Sequence, residues 1–180
     1  VMAPAMEKIR EAAGAYLYGI DVGNLQTAAV RLLKEKGLHV AMAESCTGGL
    51  VSKRITEVSG ASEVFECGIC TYSNRMKQQF LHVKEKTLQE FGAVSAETAA
   101  EMAEGIRAVS GADIGVSVTG NAGPGASEGK PVGMVFVGVS SKNYTSVISL
   151  NIRRTDEDAR EYIRYIASSQ AIYQIIEAAK

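Results

Sequence analysis

Apolar and polar positions along the chain alternate between helical and extended spacing, and that rhythm predicts most of the elements. From Ala5 to Tyr18 apolar residues recur loosely at helical spacing, until Gly19-Ile-Asp-Val-Gly23 breaks the run. A clearer amphipathic helix follows over Leu25–Lys36, with Leu25, Ala28, Ala29, Leu32 and Leu33 on one face and Gly37 as its stop. Leu38 to Ala43 reads as the first strand, and Leu50 to Thr56 as a helix running to a turn at Gly60. Val64 to Tyr72 reads as the second strand, and Ser73-Asn74 opens a helix that carries Lys77 one turn in. A short helical segment spans Lys84 to Phe91. A longer one spans Ser95 to Ser110, with Ala99, Met102, Ala103 and Ile106 at helical spacing and an acidic first turn suited to the helix dipole. Ile114 to Val118 is a β-branched strand. Gly133 to Ser140 and Tyr144 to Ile152 form an antiparallel pair across the turn Ser141-Lys-Asn143, and Asp156 to Ala179 returns to helix.

Strands alternating with helices and closed by a hairpin predict an α/β fold, a three-layer α/β/α sandwich on a mixed sheet. In such sheets the ligand crevice lies beyond the carboxyl ends of the strands. Ser45, Tyr72, Lys77 and the segment Thr119–Gly125 all fall just after strand ends.

Length and charge narrow the class. The chain's 180 residues suffice for one core without staples, and a net charge of −1 provides no footprint for direct nucleic-acid contact. Apolar runs are of strand length, well short of the ~20 residues a membrane span needs, and no charged-then-apolar leader opens the sequence. A soluble, cytoplasmic protein is expected, and the opening Val1 suggests a fragment or processed product. Three cysteines fit a reducing compartment. Cys67 and Cys70 lie three apart in a strand and therefore point to opposite faces, so they are expected to be buried small residues and not a metal or redox pair.

The chemistry concentrates at Ala41–Leu50, where a strand turns into a helix through Glu44-Ser-Cys-Thr-Gly-Gly49. Ser45 and Thr47 sit beside free backbone N–H groups at the helix start, and Gly48 and Gly49 allow close approach of another molecule. That turn can hold a nucleophile or an anion; equally, Ser45 or Thr47 can simply cap the helix. The loop Gly120–Gly129 fits neither standard phosphate motif. A P-loop requires glycine where Pro124 stands and Ser or Thr where Pro131 stands, and a dinucleotide fingerprint beginning at Gly123 meets Glu128 where it needs glycine. It remains an irregular loop suited to an oxyanion or phosphate, or a surface turn. His39, within the first strand, and His82, well past the second, are poor partners for Ser45. Lys77 lies at the same edge as Ser45 and becomes a base if burial lowers its pKa. Cys46 competes with Ser45 as nucleophile, because a helix start activates a thiol as well.

Five motifs in one order carry a resemblance: Ala43-Glu-Ser-Cys-Thr-Gly-Gly49, Thr71-Tyr-Ser-Asn74 with Lys77, Gly92-Ala-Val-Ser95, Thr119-Gly120 with Ala122-Gly-Pro124, and Lys130-Pro-Val-Gly133. Together they resemble the CinA C-terminal domain family, from about Leu25 onward. Ala15-Tyr-Leu-Tyr-Gly-Ile-Asp21 resembles the connector that precedes this domain, which divides the chain into a connector over 1–23 and a domain over 24–180.

The resemblance implies hydrolysis of the carboxamide of nicotinamide mononucleotide (NMN) to nicotinate mononucleotide and ammonia, without a metal or other cofactor. It assigns Ser45 as nucleophile, Lys77 as its base and Tyr72 as a third polar group. Backbone N–H groups of the Cys46, Thr47, Gly48 and Gly49 turn would hold the oxyanion. The loop bearing Thr119, Gly120, Ala122 and Gly123, with Arg160 or Arg164, would hold the phosphate. Two departures stand out: Asn151-Ile-Arg-Arg-Thr-Asp156 before the paired arginines leaves open which of them binds, and Asn121 replaces a residue usually apolar, either altering the pocket or facing solvent. The expected partners are NMN and further copies of the chain, with no membrane or nucleic acid. The alternative is a non-catalytic nucleotide-binding or regulatory module linked to competence or DNA damage.

Overall fold

The computed structural model describes residues 7–9, 11, 12, 18 and 22–180. The helix expected over Ala5–Tyr18 and the connector over 1–23 lie for the most part outside these residues. The described elements are α1 (Leu25–Lys36), β1 (Val40–Glu44), α2 (Leu50–Thr56), a 3-10 turn (Ala61–Glu63), β2 (Phe65–Cys70), α3 (Asn74–Leu81), α4 (Glu85–Phe91), α5 (Ala96–Ser110), β3 (Ile114–Gly120), β4 (Met134–Ser140), β5 (Thr145–Asn151) and α6 (Ala159–Ala178). Short polar side chains start the helices that the sequence marks. Asn24 accepts the Thr27 N–H, Ser73 that of Met76 and Ser95 that of Thr98, each meeting a donor with no partner inside its helix.

The sheet has the order β2-β1-β3-β4-β5. β1 pairs in parallel with β2 and β3, whereas β4 runs antiparallel to both β3 and β5, giving the mixed sheet expected. Register aligns Glu44 with Cys70 on one side and with Val118 on the other, so β1 and β2 end together and β3 runs on two residues to Gly120 at the same edge. That shared edge is where the site forms.

β1 is buried along its whole length because both its faces are covered. Val40 and Met42 join α1, α2 and α6 in a core containing Leu33, Ile55, Val116, Ile172 and Ile175. Ala41 and Ala43 face the other way, against Leu81, Leu88, Met102 and Ile106 of α3, α4 and α5. The alternating large and small residues allow α5 close to the sheet while the opposite face is filled by bulkier chains. Among the described residues, no helix is long and apolar enough to cross a membrane.

Two expectations need correction. His39 precedes β1 instead of lying in it, half-exposed at the amino end of the sheet beside Glu66 and Asp113. Cys67 and Cys70 do face opposite ways, with Cys67 packed, like Ile69, against the core cluster of Ala41, Ala43 and Met102 and Cys70 beside Gly49, but neither is fully buried and Cys70 is exposed. The reason is topological: β2 is an edge strand, so its faces are only partly covered.

Candidate active site

β1 delivers Ser45 to the carboxyl edge of the sheet, where its N–H donates to the Val118 carbonyl at 2.9 Å. The chain then turns through Gly48 and Gly49, whose φ values of +60° and +95° are left-handed and suited to residues without a Cβ. Neither Ser45 nor Thr47 caps α2, contrary to the simpler sequence reading. Gly49 occupies the cap position, and the free donors go to Glu44. One carboxylate oxygen of Glu44 accepts the Gly49 and Val51 N–H groups at 2.9 and 3.1 Å; the other accepts the Ser52 N–H and Oγ–H at 2.9 and 2.7 Å. Glu44 is 1% exposed. An acid at the strand end thus anchors the turn, which frees the Ser45 hydroxyl for another partner.

That partner is Lys77. Its Nζ lies 3.1 Å from Ser45 Oγ, 2.7 Å from the Thr71 carbonyl and 3.4 Å from the Tyr72 carbonyl. The side chain is fully buried, and burial lowers its pKa from 10.5 to about 8, a shift opposed first by the neighbouring Cys46 and then by the charge of Glu128. Two main-chain carbonyls can take two N–H bonds of the neutral amine and leave its lone pair for the serine proton. Cys46, the rival nucleophile, is buried and its thiol is pushed up to about 12 by that burial, so it stays protonated near neutral pH. Geometry and charge therefore separate two residues that the sequence left tied.

Ser45, Cys46, Tyr72, Lys77, Thr119, Gly120, Ala122, Gly123 and Arg160 line one cleft of about 310 Å³. Thr47, Gly48, Gly49 and Arg164 do not. Thr47 is buried, and its hydroxyl has no partner among the described residues. Arg164 lies beneath the turn, where Nε and Nη2 donate to the carbonyls of Cys46 and Thr47 at 3.2 and 2.8 Å. The two arginines differ by one turn of α6. Only Arg160 reaches the cleft, where it donates to the Gly123 carbonyl. Tyr72 approaches Lys77 through its carbonyl, while its ring is exposed at the rim. The Thr119 hydroxyl is engaged with the Ala93 carbonyl at 2.7 Å, so this residue offers the cleft little beyond its main chain. Neither Cys46 nor Thr47 gives its N–H to a backbone carbonyl among the described residues.

Asn121 is 6% exposed and points inward, not to solvent. Its Nδ2 donates to the Gly125 and Lys130 carbonyls at 3.0 and 3.2 Å, and its Oδ1 accepts the Gly123 N–H at 2.9 Å. A single side chain thus ties together both ends of the loop over the cleft. Asn121→Ile is expected to lower stability by about 2 kcal/mol, since three side-chain bonds are lost and their partners left behind. It should also raise amide exchange across 122–130. Unchanged melting and exchange would show that the loop holds its shape without these bonds.

Glu44 and Glu128 are site residues that sequence reasoning did not assign. The signal for Glu44 is an acid at the end of an apolar strand, five residues before a glycine; that for Glu128 is an acid inside a glycine-rich loop. Among the described residues, no three His, Cys, Asp or Glu side chains converge as metal ligands.

Comparison with known proteins identifies the family of the chain. The family model for the CinA C-terminal domain matches residues 23–179. A putative competence-damage inducible protein of Caldicellulosiruptor saccharolyticus is 51% identical over 166 residues, covering 92% of this chain and 39% of that protein. The chain therefore spans about two fifths of that curated relative. The crystal structure of competence/damage inducible protein CihA from Agrobacterium tumefaciens superposes with a TM-score of 0.79 at 36% identity, covering 90% of this chain and 99% of that one. A CinA superfamily protein from Klebsiella pneumoniae gives a TM-score of 0.81 at 28% identity, covering 86% and 95%. On the family model and these matches, the chain belongs to the CinA C-terminal domain family.

Proposed function

We propose that the cleft hydrolyses the carboxamide of NMN, with Ser45 as nucleophile and Lys77 as general base. The observation that supports this most is the fully buried Lys77 amine 3.1 Å from the serine hydroxyl. Neutral Lys77 takes the Ser45 proton as Oγ bonds to the amide carbon, and the N–H of Cys46, the one turn residue after Ser45 that lines the cleft, receives the developing oxyanion. The protonated amine then returns its proton to the departing nitrogen, so the C–N bond breaks with release of ammonia and leaves an acyl-serine. Water attacks that ester with Lys77 again accepting the proton; the acyl C–Oγ bond breaks as Lys77 returns the proton to Ser45 Oγ, and nicotinate mononucleotide departs. Arg160 and the main chain of 120–123 bind the phosphate at the cleft's other subsite. No step in this cycle requires an electron carrier.

The decisive test is ammonia release from NMN by the purified chain, with nicotinamide riboside as the phosphate-free comparison and Ser45→Ala alongside. Release is expected to fall by at least about 10³-fold in Ser45→Ala. Its melting temperature should stay close to that of the parent, because Ser45 does not cap α2. Weak turnover of the riboside would support phosphate binding. A folded parent chain that binds NMN without releasing ammonia would instead be a non-catalytic nucleotide-binding module.

A further inference from the structure

Glu128 occupies a turn that suits it poorly. Residues 127–130 close a two-residue turn, with Lys130 N–H donating to the Ser127 carbonyl at 2.8 Å and Ser127 N–H to the Lys130 carbonyl at 3.3 Å. The central residues Glu128 and Gly129 have φ values of +53° and +69°. Turns of this hand favour Asn, Asp or Gly, since a longer side chain brings a Cβ into the left-handed region. Among the described residues, the only other non-glycine with positive φ is His82, which ends α3.

The glutamate side chain turns back over the cleft. Its Oε2 accepts the Val94 N–H at 3.2 Å and packs against the bare Cα of Gly92, where an added Cβ would lie 2.5 Å from that oxygen. Glu128 lines the same cleft as Ser45 and Lys77, close enough for its charge to favour the Lys77 ammonium. A neutral glutamine could accept the Val94 N–H equally well. The charge itself has no basic side chain within ion-pair distance among the described residues. An anion therefore faces a cleft that, on the proposed reading, must also admit a phosphate.

NMN accounts for that charge, because its carboxamide sits on a pyridinium ring that is positive throughout. Resting on the amidohydrolase reading above, we propose that Glu128 is a specificity-determining residue that recognises the cationic ring of the substrate. The ring of Tyr72, 65% exposed and lining the same cleft, supplies a π face that also favours a cation. Carboxamides on neutral rings are thereby disfavoured even when ribose and phosphate are the same.

The test compares NMN with its 1,4-dihydro form, which keeps the carboxamide, ribose and phosphate but has an uncharged ring. Dissociation constants are measured by calorimetry in the Ser45→Ala background, where NMN is not consumed, with and without Glu128→Gln. NMN is expected to bind about tenfold more tightly than the dihydro form, and Glu128→Gln to remove most of that preference by weakening NMN alone. Glutamine keeps the Val94 hydrogen bond, so the loop is held in both chains. Equal weakening of both nucleotides, or an unchanged preference, would overturn the inference and leave Glu128 as a loop anchor. Failure of NMN to bind, together with no ammonia release by the unsubstituted chain, would overturn the amidohydrolase reading and this inference with it.

Discussion

Lys77→Met is expected to reduce ammonia release from NMN by at least about 10³-fold while changing how stability depends on pH. Methionine is close in size to the lysine stem, so the core between α3 and β1 stays filled. What disappears is the only amine within reach of Ser45 among the described residues. In the unsubstituted chain the acid limb of the rate profile should rise through about pH 8, as Lys77 loses its proton and becomes a base. The stability argument has a definite sign. Below about pH 8 both folded and unfolded chains carry the ammonium, and the folded chain bears the full cost of burying it. Between about 8 and 10.5 the folded lysine is neutral while the unfolded one still holds its proton, so stability rises with pH. Over that window the parent should gain roughly 3 kcal/mol relative to Lys77→Met, which has no group to titrate. Urea titrations of both chains from pH 7 to 10.5 measure the difference. Parallel stability curves would mean that the amine is not buried as a base, and turnover by the variant close to that of the parent would remove Lys77 from the chemistry.

Glu44→Ala is expected to cost about 3 kcal/mol or more, among the largest effects of any single side chain outside the apolar core. Four donors, three of them main-chain N–H groups at the start of α2, converge on this one carboxylate. Alanine leaves them unsatisfied in a buried turn. For a chain of this size the loss corresponds to a drop in melting temperature of roughly 6–12 °C. Turnover should fall too, because Ser45 is the next residue and its Oγ position depends on that turn. Glu44→Gln should fall between parent and alanine, since its amide keeps one acceptor oxygen but turns an N–H₂ toward the remaining donors. Melting of Glu44→Ala within a degree or two of the parent would show that water replaces the carboxylate.

The two residues at the centre of these predictions were unequally visible in the sequence. Lys77 could be placed near Ser45 because helical spacing after a strand end puts it one turn in. Its burial and low pKa could not, since they depend on Thr71, Tyr72 and the strand beyond. Glu44 stood in a quoted motif, yet its bonds run five to eight residues forward across a turn, a distance that no local period reports.

Local order was determined by the sequence itself. Gly37 ends α1, Ser73 and Ser95 start α3 and α5, and β4 and β5 pair across 141–143, because each rests on contacts within a few residues. The opposed directions of Cys67 and Cys70 follow likewise from the two-residue period of a strand. Tertiary structure alone decided what depends on neighbours distant in sequence. The edge position of β2 exposes Cys70, and the packing of α6 against the 45–49 turn sends Arg164 to carbonyls while Arg160, one turn earlier, meets the cleft. Burial, not residue type, separates the Ser45 hydroxyl beside a low-pKa amine from the inert Cys46 thiol next to it. Periodicity is a property of adjacent residues, whereas desolvation and charge belong to everything that surrounds a group once the chain has folded.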